Sequence, residues 1–172
     1  MRIIIGLLLW SVAVFGLEVG SKLPNATIAG ADGGYVKDSK PFNASDLKGK
    51  IFVIFYVDPD EKDTNEHFVQ ILKQKEYKKN ENYQSIAIVN LAATWKPNFV
   101  IEKLLASKQK EFPKTIYVKD KKSVLVKKWN IADNASDIII VDKNGVVLFV
   151  KEGKMSDTDI QKACAIIEKG LL

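Results

Sequence analysis

The run Ile51-Phe-Val-Ile-Phe-Tyr-Val57 constrains the chain more than any other stretch. β-Branched and aromatic side chains occupy odd and even positions alike, so a strand built from it must be covered on both faces. Such a strand belongs at the centre of an α/β sheet. It breaks at Asp58-Pro-Asp-Glu-Lys-Asp63, and Asp63-Thr-Asn-Glu66 then has the spacing of a capping box. That pattern predicts a helix entered at Asp63 that buries Phe68, Ile71 and Leu72.

The rest of the chain supplies partners for this strand. Leu23 to Ala29 reads as an opening strand, followed by a turn over 30–34 and a polar turn from Asn43 to Lys50. Tyr83 to Leu91 is a second buried strand, parallel to the first if the helix between them is a right-handed crossover. A helix starting at Pro97-Asn98 carries Val100, Ile101, Leu104 and Leu105 and ends before Phe112-Pro113. Thr115–Val118 and Val124–Trp129 flank Lys119-Asp-Lys-Lys122 and read as a basic hairpin. Ser136–Asp142 and Val146–Val150 are joined through Asn144-Gly145, the strongest short-range hairpin signal present. Ser156-Asp-Thr-Asp159 caps a last helix with Ile160, Ala163, Cys164, Ile167 and Leu171 on one face. The expected fold class is α/β, with a central mixed sheet and helices on both faces.

The N-terminus sets the compartment. Met1-Arg2, an apolar segment from Ile3, and small residues at Val14 and Gly16 have the layout of a secretory signal peptide over residues 1–16. The segment is shorter than the roughly 18 to 20 residues that span a bilayer, so no stable membrane span is expected after cleavage. Residues 17–172 then form one domain in the periplasm. The formal charge is +5 with Arg2 included, and every other cation is a lysine. No guanidinium fork is therefore available to clamp a phosphate or peroxide oxyanion bidentately. The mild basicity reads as solubility rather than a nucleic-acid footprint. Cys164 is the one cysteine, so no internal disulfide forms and the core must supply the stability.

Several short segments are similar to the YtfJ family of exported bacterial proteins, within the thioredoxin-like superfamily. They are Gly20-Ser-Lys-Leu-Pro24, Leu47-Lys-Gly-Lys50, Ile88-Val-Asn90, Phe112-Pro113, Lys127-Lys-Trp129 and Ser136-Asp-Ile-Ile-Ile-Val-Asp-Lys-Asn-Gly145. The resemblance implies a thioredoxin-like fold in a periplasmic protein. A transcriptional-regulator label sometimes attached to such proteins has no support here, because no DNA-reading motif is present.

In that fold the loop after the central strand carries the reactive cysteine, whereas here it carries Asp58, Pro59, Asp60, Glu61 and Asp63. A thiolate at a helix N-terminus is what makes thiol exchange fast. Without it, and with Ser136 where many relatives of the fold place a cis-proline, thiol-disulfide and peroxidase activity are not expected. Cys164 shares its helix face with Ile160 and Ile167 and reads as a buried structural thiol. The loop before Ile138 should lie beside the acidic loop, so Asp58, Asp60, Glu61, Asp63, Trp95, Asp133, Asn134 and Asp137 form the candidate binding cleft. A divalent cation between Asp58, Asp60 and Asp137 is the sharper reading of these carboxylates. A solvated loop that complements the helix N-terminus is the plainer one, and neither a metal nor a cofactor is expected. His67 alone cannot make a zinc site. The expected function is a redox-inactive binding or stress-accessory module for a periplasmic protein or small ligand. The alternative is an enzyme with cation-assisted chemistry in the same cleft.

Overall fold

In the computed structural model, residues 16–172 are described; the expected signal segment lies outside them apart from Gly16. The strands are β1 (Thr27–Ile28), β2 (Gly33–Tyr35), β3 (Phe42–Asn43), β4 (Ile51–Val57), β5 (Tyr83–Asn90), β6 (Ile116–Asp120), β7 (Ser136–Val141) and β8 (Val147–Lys151). The helices are α1 (Glu66–Gln74), α2 (Asn98–Glu111), α3 (Val124–Trp129) and α4 (Asp157–Gly170). Six strands make one mixed sheet in the order β2-β6-β5-β4-β7-β8, with β4, β5 and β6 parallel and β2, β7 and β8 antiparallel to their neighbours.

The apolar run 51–57 is an interior strand, and its two faces feed two cores. Phe52, Ile54 and Tyr56 pack with Leu125 and Trp129 of α3, and with Ile28 and Phe42 from the small β1–β3 sheet. Ile51 and Val53 pack with Phe68 and Leu72 of α1 and with Ile160, Ala163 and Ile167 of α4. Ile101 and Leu105 anchor α2 against Val89 and Leu91. By the two-residue alternation of β5, Val89 faces the same side as Tyr83, so α1, α2 and α4 share one face. Two right-handed crossovers running in the same direction require that arrangement.

Four local expectations are corrected. Val124–Trp129 is helix, not the second arm of a basic hairpin, because the Asp120 carboxylate accepts from Val124 N (2.9 Å) and Leu125 N (3.0 Å) and turns the chain. The turn over 30–34 includes an edge strand: Gly33 and Gly34 have φ of 124° and 135°, and a Cβ on Gly33 would stand 2.0 Å from Lys119 O. Only glycine permits that approach. Of the opening strand expected over 23–29, only Thr27–Ile28 is strand; Gly20 N and Leu23 N instead donate to Val147 O and Gly145 O, both at 2.8 Å.

The capping box at Asp63 is the fourth. Helix α1 begins at Glu66, and Asn65 precedes it without a side-chain cap. The buried Asn65 carboxamide is committed elsewhere: Nδ2 donates to Ser136 O (2.9 Å) and Gly153 O (3.0 Å), and Oδ1 accepts from Met155 N (2.9 Å). It thus joins the start of α1 to β7 and to the turn before α4. The box expected at Ser156–Asp159 does form, with Asp159 N donating to Ser156 Oγ and Ser156 N to Asp159 Oδ2. Because Asn65→Ala strands buried backbone groups on two elements, we expect it to destabilise the fold by roughly 2–4 kcal/mol. Chemical denaturation with an unchanged m-value checks this.

Candidate functional site

The parallel strands β4, β5 and β6 finish at one end of the sheet, and β7 starts there. Ligand sites of open α/β sheets form at this end, where neighbouring strands lead away in opposite directions. Asp58 leaves β4 with its amide donating to Ala135 O (2.9 Å), which fixes the 58–63 loop against the loop before β7. Its Oδ1 accepts from Asp60 N (2.8 Å) and caps a single turn opened by Pro59. Burial pushes the Asp58 carboxyl above the ordinary range; the Asp60 amide opposes the shift, and the charges of Asp60, Glu61 and Asp133 add to it.

The neighbouring acids differ in their partners. Asp60 accepts from Thr94 Oγ1 (2.7 Å) and pairs with Lys96, and both hold its carboxyl below the usual range. Glu61 accepts from Thr64 Oγ1 (2.6 Å), while Asp63 points outward to Lys62. Asp133 accepts from Asn90 Nδ2 (3.0 Å) and from the amide of Asn134, whose φ is 54°. Asp58, Asp60, Glu61 and Asp133 therefore gather at one sheet end, as expected. Asp137, the register partner of Tyr56 on the neighbouring strand, has contacts of its own: Oδ1 accepts from Gly153 N (3.1 Å), and Oδ2 is buried without a partner among the described residues.

Beneath the loops lies a polar layer that the residue pattern did not single out. Asn90 Oδ1 accepts from Ser123 Oγ (3.0 Å) and Ala92 N (3.2 Å). The fully buried Asp120 accepts from Tyr56 Oη (3.1 Å) and from the α3 amides. Burial and the Asp120 charge push the Tyr56 phenol upward. The available signal was positional: Tyr56, Asn90 and Asp120 all fall in the last residues of successive parallel strands.

Beside the acidic loop stands an uncovered apolar stripe. Trp95, Phe99 and Leu104 are 85%, 74% and 58% exposed, and Val100 lies among them. Phe99, Val100 and Leu104 occupy the outer side of α2, whose inner side is Ile101 and Leu105. Trp95 therefore does not pack under a loop. Lys96 links stripe and loop, its ammonium 5.7 Å from the Trp95 ring centroid while it pairs with Asp60.

This geometry does not build a metal centre. Among the described residues, no three His, Cys, Asp or Glu side chains stand where they could hold an ion; Asp60 is paired with Lys96 and Asp137 accepts from Gly153 N. His67 Nε2 is bonded to Met155 O at 2.9 Å. Cys164 is buried in the α4 core, where burial pushes its thiol upward.

The family model described as "Bacterial protein of unknown function (YtfJ_HI0045)" matches residues 27–170. The chain belongs to this family. It is 32% identical over 132 residues to an uncharacterized protein of Haemophilus influenzae, covering 74% of this chain and 71% of that one. It is 23% identical over 133 residues to the uncharacterized protein YtfJ of Escherichia coli, covering 76% and 72%. Among solved structures, the thiol peroxidase from Chromobacterium violaceum superposes with a TM-score of 0.61 at 11% identity, covering 92% of this chain and 90% of that one. The thioredoxin domain of a thiol-disulfide oxidoreductase from Bacteroides vulgatus gives 0.61 at 16% identity, covering 88% and 98%. At these identities the likeness shows the fold, which is thioredoxin-like. This YtfJ-family chain keeps that fold without Cys-x-x-Cys.

Asp137 gives the site region a pH dependence. Burial raises its carboxyl to about 7, with the Gly153 amide opposing and Glu152 adding to the rise. The folded state thus holds a proton that the unfolded chain releases near its ordinary value, so stability falls as pH rises from about 4 to about 7. Asp137→Asn removes that titration. Relative to the parent, we expect the variant to gain on the order of 2 kcal/mol between pH 4 and pH 8, measured by denaturation at the two pH values.

Proposed function

We propose that this YtfJ-family protein is an exported, redox-inactive binding module, working in the periplasm after removal of residues 1–16. Its recognition surface is the Trp95–Phe99–Leu104 stripe together with the acidic loop beside it. The observation that carries this reading is the exposure of three large apolar side chains on and just before one helix. Large apolar side chains left exposed near one another, beyond the isolated ones normal on a surface, point to an interaction site. Two features support redox inactivity: the single thiol is buried in α4, and the loop that would hold a reactive cysteine holds carboxylates.

Charge selects the occupant. The chain as a whole is positive, yet Asp58, Glu61, Asp63 and Asp133 concentrate carboxylates at this end against Lys62 and Lys96. The fitting partner is a segment of another protein that places aliphatic or aromatic anchors on the stripe and lysine or arginine side chains toward the loop. Rim charges of this kind steer encounter and choose the partner more than they add affinity.

Two measurements test the proposal. A labelled peptide of leucine and lysine should bind saturably and weaken as salt rises, whereas its leucine–glutamate counterpart should not bind. Trp95→Ala combined with Leu104→Ser should weaken capture at least about tenfold with stability changed by no more than about 0.5 kcal/mol. Binding indifferent to peptide charge, or to the double variant, would reject this surface. Insulin reduction and peroxide consumption should not exceed the protein-free rate; turnover above it would overturn the redox-inactive reading. The mature N-terminus recovered from the periplasm should be Leu17.

A further inference from the structure

The opposite end of the sheet carries a second feature, independent of the recognition surface. Where β4, β5 and β6 begin, a cleft of about 360 Å³ is lined by Lys50, Lys78, Lys79 and Lys114, with Glu81 as the one carboxylate in its wall. This lies in the lower part of the range for small-molecule sites, roughly 300–1,000 Å³. Lys79 is paired with Glu76 at 2.7 Å, but among the described residues Lys50, Lys78 and Lys114 form no ion pair.

Lys78 is held in place rather than waving in solvent. Its ammonium donates to Thr115 Oγ1 (2.9 Å) and stands 5.7 Å from the Phe112 ring centroid. Burial and the charge of Lys73 push its pKa downward, the signature of a cation short of counter-charge. Lys114 Nζ reaches the Lys78 carbonyl at 3.5 Å, so its side chain lies across the backbone of the turn that carries Lys78. Tyr83 also lines the wall, while its hydroxyl is turned into the core between α1 and α4. Pro113 and Ile116 supply an apolar side.

Lysines that line one cleft without counter-charge repel one another. An oxyanion with several acceptor atoms supplies the missing charge. We propose that this cleft binds a phosphate-class oxyanion borne on a small organic body, with the phosphate on Lys50, Lys78 and Lys114 and the body on Pro113 and Ile116. Lysine ammoniums serve such a group as point charges, without the bidentate geometry of arginine. The same headgroup chemistry occurs on soluble phosphate esters and on anionic lipids.

The test is an amide NMR titration of the protein with inorganic phosphate and with glucose 6-phosphate, alongside co-sedimentation with phosphatidylglycerol vesicles. Saturable shifts confined to Lys50 and residues 78–84 and 113–116 are expected. Lys50→Gln with Lys114→Gln should weaken binding at least about tenfold, while Lys128→Gln with Lys154→Gln should leave it within about twofold. Binding to vesicles alone, lost in the first double variant, would keep the site and assign its anion to a lipid headgroup. No saturable shift and no sedimentation, or binding unchanged by the first double variant, would overturn the site. The leucine–lysine peptide measurement is unaffected by either result.

Discussion

The Asn65 carboxamide is the joint on which the acidic loop depends. It ties the first residues of α1 to the β7 backbone and to the turn entering α4. At the other end of the loop, Asp58 N is bonded to Ala135 O. Six residues between two fixed points have little freedom, and the single turn capped by Asp58 removes more of it. The carboxylates are thus presented by hydrogen bonds from backbone and neighbouring side chains, without a disulfide. A preorganised loop loses less entropy when a partner lands on it.

The absence of sulfur changes the electrostatics that the loop must satisfy. A reactive thiolate needs positive potential to lower its pKa. Here Asp58 is pushed upward by burial and by three neighbouring carboxylates, an environment that would disfavour a thiolate at the same place. Replacing Asp58 with cysteine would therefore not restore an exchange site. Gathered carboxylates of this kind suit a cation rather than a thiolate.

Much of the fold was legible in the residue pattern, because period and turn chemistry are local. The two-faced run 51–57, the parallel strand 83–90, the Asn144-Gly145 hairpin and the Ser156 cap all needed neighbours within a few residues. The misses had distant causes. Asn65 gave up its local role to bond groups 71 and 88 residues away, and Asp120 turned a run that looks like strand into helix. That run did contain a helical clue: Leu125 and Trp129, both buried, are four apart. The acidic half of the candidate site followed from the loop alone. Of its apolar half only Trp95 followed; Phe99 and Leu104 did not, since Val100 and Leu104 match the period of a buried face and only the assembled sheet shows that Ile101 and Leu105 fill the available groove.

The two ends of the sheet are electrically distinct and independent. Carboxylates collect where the parallel strands finish, and unpaired lysines collect where they begin. The 7 residues of β4 separate them by about 20 Å at roughly 3.3 Å each. That exceeds the Debye length of about 8 Å at physiological ionic strength, so charge at one end does little to the potential at the other. A cationic segment and a small oxyanion can therefore be bound at once without appreciable electrostatic coupling. Any coupling between them would have to pass through the packed strands, of which β4 is covered on both faces.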